Sequence, residues 1–229
     1  MSLEAALQHV DIRYLGRNVD YTEAHHLQLQ LQQERAEGKI SDTILLLEHN
    51  DVYTMGTDEQ VSMDTLLTHQ VHVVKTDRGG KITYHGPGQL VGYLICKIPT
   101  DKRLAFCDTI EQLTIQTLQA HGIKAYSRKT ETDAHGKEIR GAWVNIYGEH
   151  KKIAAQGIGL NYIGNGIAVT MHGFALNINT DLSFFDAIKA CGFEGKVMTS
   201  MQEILRRPIP MEDVRTTVTR LIQEWKPYA

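Results

Sequence analysis

Between two apolar segments the chain reads Arg78-Gly79-Gly80-Lys81-Ile82-Thr83-Tyr84-His85-Gly86-Pro87-Gly88-Gln89-Leu90-Val91-Gly92-Tyr93, with five glycines in sixteen residues. Val71 to Val74 leads in and Leu90 to Ile98 leads out, both strand-like. Glycine brings no side chain to a strand and loses the most backbone freedom there, so glycines in a strand context mark turns, bulges or close approach of another group. The run therefore cannot continue as a regular strand. With Arg78 and His85 set among the glycines, it reads as a ligand cradle rather than a plain hairpin. It has no Gly-Lys-Ser or Gly-Lys-Thr ending and lacks the glycine spacing of a dinucleotide fingerprint. A nucleotide is not what this segment predicts.

Around the run, the pattern alternates between strands and helices. Thr43 to Glu48 is a continuous apolar run of strand length, and Leu90 to Ile98 is another. Ala142 to Tyr147 and Ile153 to Leu160 read as strands around a Gly148 to Lys151 turn, and Ile167 to Ile178 as a further strand. Tyr21 to Glu37 carries Ala24, Leu27 and Leu31 at helical spacing and stops at Gly38, although Leu27-Gln28-Leu29-Gln30-Leu31 also alternates as a strand would. Leu104 to His121 predicts a helix stopped by Gly122, and Ser183 to Cys191-Gly192 a short one. Ser200 with Glu203 forms a capping box. Pro210 opens a last helix with Val214, Val218, Leu221, Ile222 and Trp225 on one face. No repeat, linker or composition break divides the chain. The expectation is a mixed α+β fold, one domain over residues 1–229, with a mixed β-sheet flanked by helices.

Bulk properties narrow the function classes. A formal net charge of −3 gives no reason to expect a nucleic-acid partner. No apolar run approaches the roughly 20 residues of a membrane helix, and Met1 to Tyr14 has no secretory pattern. Three separated cysteines argue against a disulfide framework, so a reducing, cytoplasmic setting is expected.

The same cysteines are the candidates for nucleophilic chemistry. Cys96 alternates with Leu94 and Ile98, and Cys107 lies one helical turn before Ile110; both read as packing residues. Cys191, before Gly192, can project from a turn. A thiol of ordinary pKa near 8.5 is only a few per cent thiolate at neutral pH, and a neighbouring ammonium would raise that fraction. Lys151 and Lys152 precede the small-residue strand Ile153-Ala154-Ala155-Gln156-Gly157. One of them can be carried inward; whether it meets Cys191 is left open. No Cys/His pair near Cys191 has metal-ligand spacing, so no metal is expected. His85 and His172 are candidates for a base, but each reads better as a residue that fixes a loop and shapes a pocket.

Four colinear segments carry a resemblance. Arg78 to Tyr93 is similar to the signature of the octanoyltransferases of lipoate biosynthesis. So are Leu47-Glu48-His49 with Val52-Tyr53-Thr54-Met55-Gly56, Gly141-Ala142-Trp143-Val144 ahead of Lys152 to Gly157, and Thr170 to Asn177 followed by Cys191-Gly192. The similarity spans Thr43 to Met201. It implies the catalytic-domain fold of biotin and lipoate protein ligases, and transfer of an octanoyl group from acyl carrier protein to a specific lysine of a lipoyl domain. Acceptors would be 2-oxoacid dehydrogenase complexes and the glycine cleavage H protein, with no cofactor. It further implies Cys191 as the acyl-accepting nucleophile and Lys152 as the residue that lowers its pKa. Arg78, Gly79, Gly80, Lys81, Ile82, Thr83, Tyr84 and His85 would line the acyl substrate with Ala155, Gln156, Gly157, Gly173, Phe174 and Ala175. Two departures stand out: Ala190 replaces the usual proline before the cysteine, and Glu131 to Arg140 is a lengthened, charged hairpin. The rival readings are an ATP-dependent lipoate ligase on the same fold and a non-enzymatic acyl or lipoyl-domain binding module.

Overall fold

The computed structural model describes residues 10–57, 71–132, 136, 138–186, 188 and 197–224. Eight strands form the main sheet: β1 (Asp11–Val19), β2 (Thr43–His49), β6 (Gln89–Ile95), β7 (Lys97–Pro99), β8 (Ala125–Thr132), β9 (Glu138–Ile146), β10 (Glu149–Gly164) and β11 (Ile167–Asn177). Their order is β1-β2-β6-β11-β10-β9-β8, with β7 also paired to β11. Only the β1–β2 pair is parallel among them. A smaller sheet, β4-β3-β5, is built from β3 (Val52–Met55), β4 (His72–Lys75) and β5 (Thr83–His85). It is mixed as well, since β3 runs parallel to β4 and antiparallel to β5.

Helices cover both faces of the main sheet. On one side Phe106, Ile110 and Leu113 of α2 (Arg103–Ala120) and Val214, Val218 and Ile222 of α4 (Met211–Gln223) share a core with Ile44, Leu46, Leu94 and Ile98. On the other side Ala24 and Leu31 of α1 (Tyr21–Ala36) meet Leu45, Leu47, Val91, Tyr93 and Ala175. The continuous apolar run of β2 follows from this, because both sets of alternating side chains are buried. A third cluster lies under the small sheet, where Tyr53, Ile82, Tyr84, Phe185, Ile188 and Met198 pack together. In the ambiguous Leu27 to Leu31 stretch the helix prevails. Asp20 caps it by accepting from the Glu23 N–H at 3.0 Å, and burying Ala24, Gln28, Leu31 and Gln32 on one helical face defeats the alternation.

Several expected elements take a different form. The strand expected over Leu90 to Ile98 breaks at Cys96. Thr170 stands opposite the break, accepting from the Cys96 N–H at 3.0 Å and donating to the Leu94 carbonyl at 2.6 Å. The turn expected over Gly148 to Lys151 is tighter: Glu149 already pairs with Ile146. Tyr147 and Gly148, at φ 52° and 90°, make a two-residue hairpin of the type that needs positive φ at both positions. β1 had no signal in the sequence, because its burial follows no alternation and its register slips around Gly16. The helix expected from Ser183 is a single 3₁₀ turn over Leu182–Phe185, capped by Asp181. The remainder of that helix, with Ala190, Cys191 and Gly192, lies outside the described residues, as does Trp225. No described helix is long and apolar enough to cross a membrane.

Phe106 is fully buried between α2 and the sheet, whereas Leu104, two residues earlier and on the opposite face of the helix, is half exposed. Phe106→Ala is expected to lower the unfolding free energy by about 3–5 kcal/mol, and Leu104→Ala by no more than about 0.5 kcal/mol. Urea titration of the two variants checks the contrast.

Candidate active site

A one-residue slip in the β9–β10 ladder decides which of two adjacent lysines enters the protein. Lys152 pairs with Trp143, but Ala154 pairs with Ala142, so Ile153 is an extra residue on β10. Ile153 and Ala154 both pack into the α2-side core. The alternation therefore changes phase, and Lys152 comes onto the face that carries Ala155 and Gly157. Such bulges re-aim side chains, which is why they recur beside functional sites. Lys152 is 4% exposed and its ammonium lies 5.5 Å from the Trp143 ring centroid. Lys151 instead turns outward and pairs with Glu149 at 2.8 Å. Gly141 makes the room: at φ 107°, a Cβ there would lie 2.3 Å from the Ala154 carbonyl oxygen and 2.9 Å from Lys152 Cε.

Lys152 borders a cavity of about 150 Å³ between the α1 side of the main sheet and the β5 loop. Its floor is made of small residues on neighbouring strands. Ala155 pairs with Ala175 and that with Val91, while Gly157 pairs with Gly173 and that with Tyr93. Of the glycine-rich run, Arg78, Gly80, Lys81, Thr83 and His85 line the cavity. Ile82 and Tyr84 do not. They alternate to the opposite side of β5 and join the core under the small sheet, where the Tyr84 hydroxyl donates to Asp51 at 2.6 Å. Gly79 does not line the cavity either, and its N–H donates to the Ile158 carbonyl at 3.3 Å. Phe174 borders the cavity, but its ring turns to the α2 side, into the space a Cβ on Gly92 would need. Gln156 keeps both amide atoms buried without a hydrogen-bond partner.

Arg78 acts on the loop itself. Its guanidinium donates to the Lys81 carbonyl at 2.8 Å, the Thr54 carbonyl at 2.7 Å and the Thr54 hydroxyl at 2.9 Å. These bonds tie the glycine turn to β3. His85 is likewise engaged, since Nδ1–H donates to Gln89 Oε1 at 2.7 Å while the Gln89 amide donates to the Tyr84 carbonyl and Asn177. Burial holds its pKa well below the usual histidine range, so it is neutral at physiological pH.

Other residues at the cavity come from distant parts of the chain. Tyr21, Ile139 and Arg140 line it, as do Val91 and Tyr93 at the end of the glycine-rich run, and none had an individual role assigned in the sequence. His172 lines it from a left-handed backbone, φ 60°, in the middle of β11. Its N–H donates to Gln28 at 2.8 Å and its Nε2–H to Asp77 at 2.8 Å. That hydrogen bond is the main reason the Asp77 carboxyl sits well below the usual carboxylate range. A non-glycine residue held in this region of φ is strained and marks functional sites more often than others. His25 stacks on His172, and the ligand atoms of His25, Asp77 and His172 lie within 4.8 Å of one another. Their spacing in the chain hides this cluster completely. Behind Tyr93 lies His49, wholly buried: Nδ1–H donates to the Val19 carbonyl at 2.9 Å and Nε2 accepts from the Tyr93 hydroxyl at 2.6 Å. Of the cysteines, Cys96 and Cys107 are buried, and burial pushes both thiols up. Neither is activated. Cys191 lies outside the described residues.

Two tests address this geometry. Gly141→Ala should crowd the Ala154 carbonyl, displace Lys152 and lower the melting temperature, since a residue other than glycine is strained at this φ; a thermal melt reads it. His49 is pushed down to about 4 by burial, against about 6.5 unfolded. Its depressed folded value means that its stabilisation is complete above pH 6.5 and lost as pH falls toward 4, by about 3 kcal/mol in all. Urea titrations between pH 7 and 4 should show that loss, with a flatter slope in His49→Gln.

Comparison with known proteins agrees with this architecture. The family model for the lipoyl protein ligase A/B catalytic domain matches residues 20–223. The chain is 36% identical to an octanoyltransferase of Rubrobacter xylanophilus, over 98% of this chain and 97% of the relative. It is 37% identical to an octanoyltransferase of Syntrophotalea carbinolica, over 96% and 98%. In fold it is similar to a putative lipoate protein ligase of T. acidophilum with bound lipoic acid, with a TM-score of 0.67, 15% identity, and coverage of 93% and 84%. Whole-length identity at this level leaves one assignment: the chain belongs to the lipoyl protein ligase A/B catalytic-domain family and, within it, to the octanoyltransferases.

Proposed function

We propose that this enzyme moves an octanoyl group from acyl carrier protein to a lysine of a lipoyl domain through a thioester on Cys191. The observation that carries the reading is the buried Lys152 at the cavity wall. Its backbone bridges to Met198, seven residues beyond Cys191, and its carbonyl accepts from the Thr199 N–H at 3.0 Å. On the other side Ile188, three residues before Cys191, is packed into the cluster under the small sheet. These two contacts, one on each side of the cysteine in sequence, support the reading that Cys191 reaches Lys152. The other two cysteines are buried with raised pKa values, which leaves Cys191 as the thiol suited to attack.

In the first step the Cys191 thiolate attacks the donor carbonyl, the C–S bond to the carrier breaks, and the leaving thiolate takes a proton from Lys152. In the second, the neutral lysine amine of the acceptor attacks the Cys191 thioester. The new C–N bond forms, the C–S bond breaks, and the amine's proton passes to Lys152. Exchange of one thioester for another is nearly balanced, whereas amide formation runs downhill. Burying the octanoyl chain contributes about 5 kcal/mol to binding, at about 0.8 kcal/mol for each methylene or methyl. The acceptors are the lipoyl domains of 2-oxoacid dehydrogenase complexes and the glycine cleavage H protein, the setting is cytoplasmic, and residues 1–229 act as one catalytic domain.

Intact-mass measurement after incubation with octanoyl-acyl carrier protein, without ATP, should show an octanoyl adduct on wild type and none on Cys191→Ala. Absence of the adduct on folded wild type would sink the covalent route. Lys152→Ala should lower turnover by about 100-fold or more and raise the pH at which iodoacetamide alkylates Cys191.

A further inference from the structure

Three polar side chains that acyl transfer leaves unused converge at one edge of the cavity. His25 comes from α1, Asp77 directly precedes the glycine-rich run, and His172 comes from β11. The Asp77 Oδ1 lies 2.8 Å from His172 Nε2 and 3.5 Å from His25 Nε2. All three ligand atoms lie within 4.8 Å of one another.

Backbone strain brings His172 to this place. Along β11, Val169 and Ala175 join the core on the α1 side, while Phe174 and Leu176 join the core on the α2 side. Regular alternation would send His172 with Phe174, to the α2 side. At φ 60° its ring instead reaches the α1 side, where it stacks on His25 at 5.7 Å between centroids and stands edge-to-face with Tyr93. Gln28, one turn after His25 on α1, is wholly buried. Its Oε1 accepts from the His172 N–H at 2.8 Å, and its Nε2 has no hydrogen-bond partner among the described residues. A buried donor without an acceptor is costly, and this one is carried by the carboxamide that holds His172.

We propose that His25, Asp77 and His172 form a site for a divalent metal ion of the zinc class. Two imidazole nitrogens and one carboxylate oxygen are a donor set that such ions take, whereas calcium and magnesium take oxygen. Ligand atoms about 2.05 Å from a tetrahedral ion lie about 3.3 Å apart. The two spacings to Asp77 fall on either side of that value. The remaining one closes by rotation of the His25 ring, which is only partly buried. Each imidazole binds through Nε2 and keeps its proton on Nδ1, so the ion takes the place of the hydrogens now shared with Asp77. Its fourth position holds a water, and that water supplies the acceptor that Gln28 Nε2 lacks. The filled site staples α1 to β11 and to the residue that opens the glycine-rich run. All three segments border the cavity, through Tyr21, His172 and Arg78. Neither Lys152 nor Cys191 belongs to the site, so the inference stands apart from the acyl-transfer reading.

The test uses the full chain as Cys191→Ala, so that this thiol cannot supply a ligand. Zinc at about 100 times its dissociation constant should raise the melting temperature by roughly 5–10 °C, and magnesium should leave it unchanged. Loss of a residue that merely orients a metal ligand already costs about 10–100-fold in affinity. His25→Gln or Asp77→Asn should therefore weaken zinc binding by about 100-fold or more in isothermal titration calorimetry. Cobalt(II) should give the visible bands of a tetrahedral ion without thiolate charge transfer, and both substitutions should abolish them. His25 is only partly buried, so His25→Gln decides the matter if Asp77→Asn does not fold. The site is overturned if zinc does not raise the melting temperature, if binding survives these substitutions, or if cobalt shows thiolate ligation.

Discussion

The bulge at Ile153 is the constraint on which the site depends. Without the extra residue, β10 would keep one phase from Glu149 to Tyr162, and Lys151 rather than Lys152 would face Ala155 and Gly157. The bulge turns one ammonium from solvent to a wall of Trp143 and small residues. Moving a lysine head out of water is costly unless it is well surrounded. The shape of the pocket is set to receive it: Gly141 has no side chain, and its backbone takes a conformation that other residues avoid. The ladder that positions Lys152 also continues, residue by residue, into the β11 and β6 pairs that form the cavity floor.

Against that floor the glycine-rich run divides its labour by alternation. Thr83 and His85 face the cavity, while Ile82 and Tyr84 anchor the loop in a separate apolar cluster. Arg78 turns out to be a clamp more than a substrate contact, since its guanidinium donates to the backbone carbonyls of Gly79, Lys81 and Thr54 and to the Thr54 hydroxyl. The density of glycine in the run reflects this packing of backbone on backbone as much as the approach of a ligand.

Gln156 apart, several buried polar groups around the cavity are linked in chains rather than in pairs. Val19, His49 and Tyr93 form one such chain, and His85, Gln89, Asn177 and the Thr199 carbonyl another. Networks of this kind stiffen a cavity because displacing one member unpairs the next.

Much of the fold was legible in the sequence because burial imposes a period on the chain. The β2 run, the α2 and α4 stripes and the strands of β9 to β11 announce themselves by that rule. The family signature likewise named Lys152, the residues from Arg78 to His85, and both sides of the β10–β11 ladder. Which of those side chains face the cavity was decided only by tertiary structure. Ile82, Tyr84 and Phe174 lie in the signature yet turn away, because a period of two sends neighbours to opposite faces and a single bulge resets the count. Tyr21, His49, Tyr93, Asp77 and His172 meet only in three dimensions, brought together from α1, β2, β6, the loop after β4, and β11. Local periodicity records whether a residue is buried; long-range strand order and register determine what it is buried against.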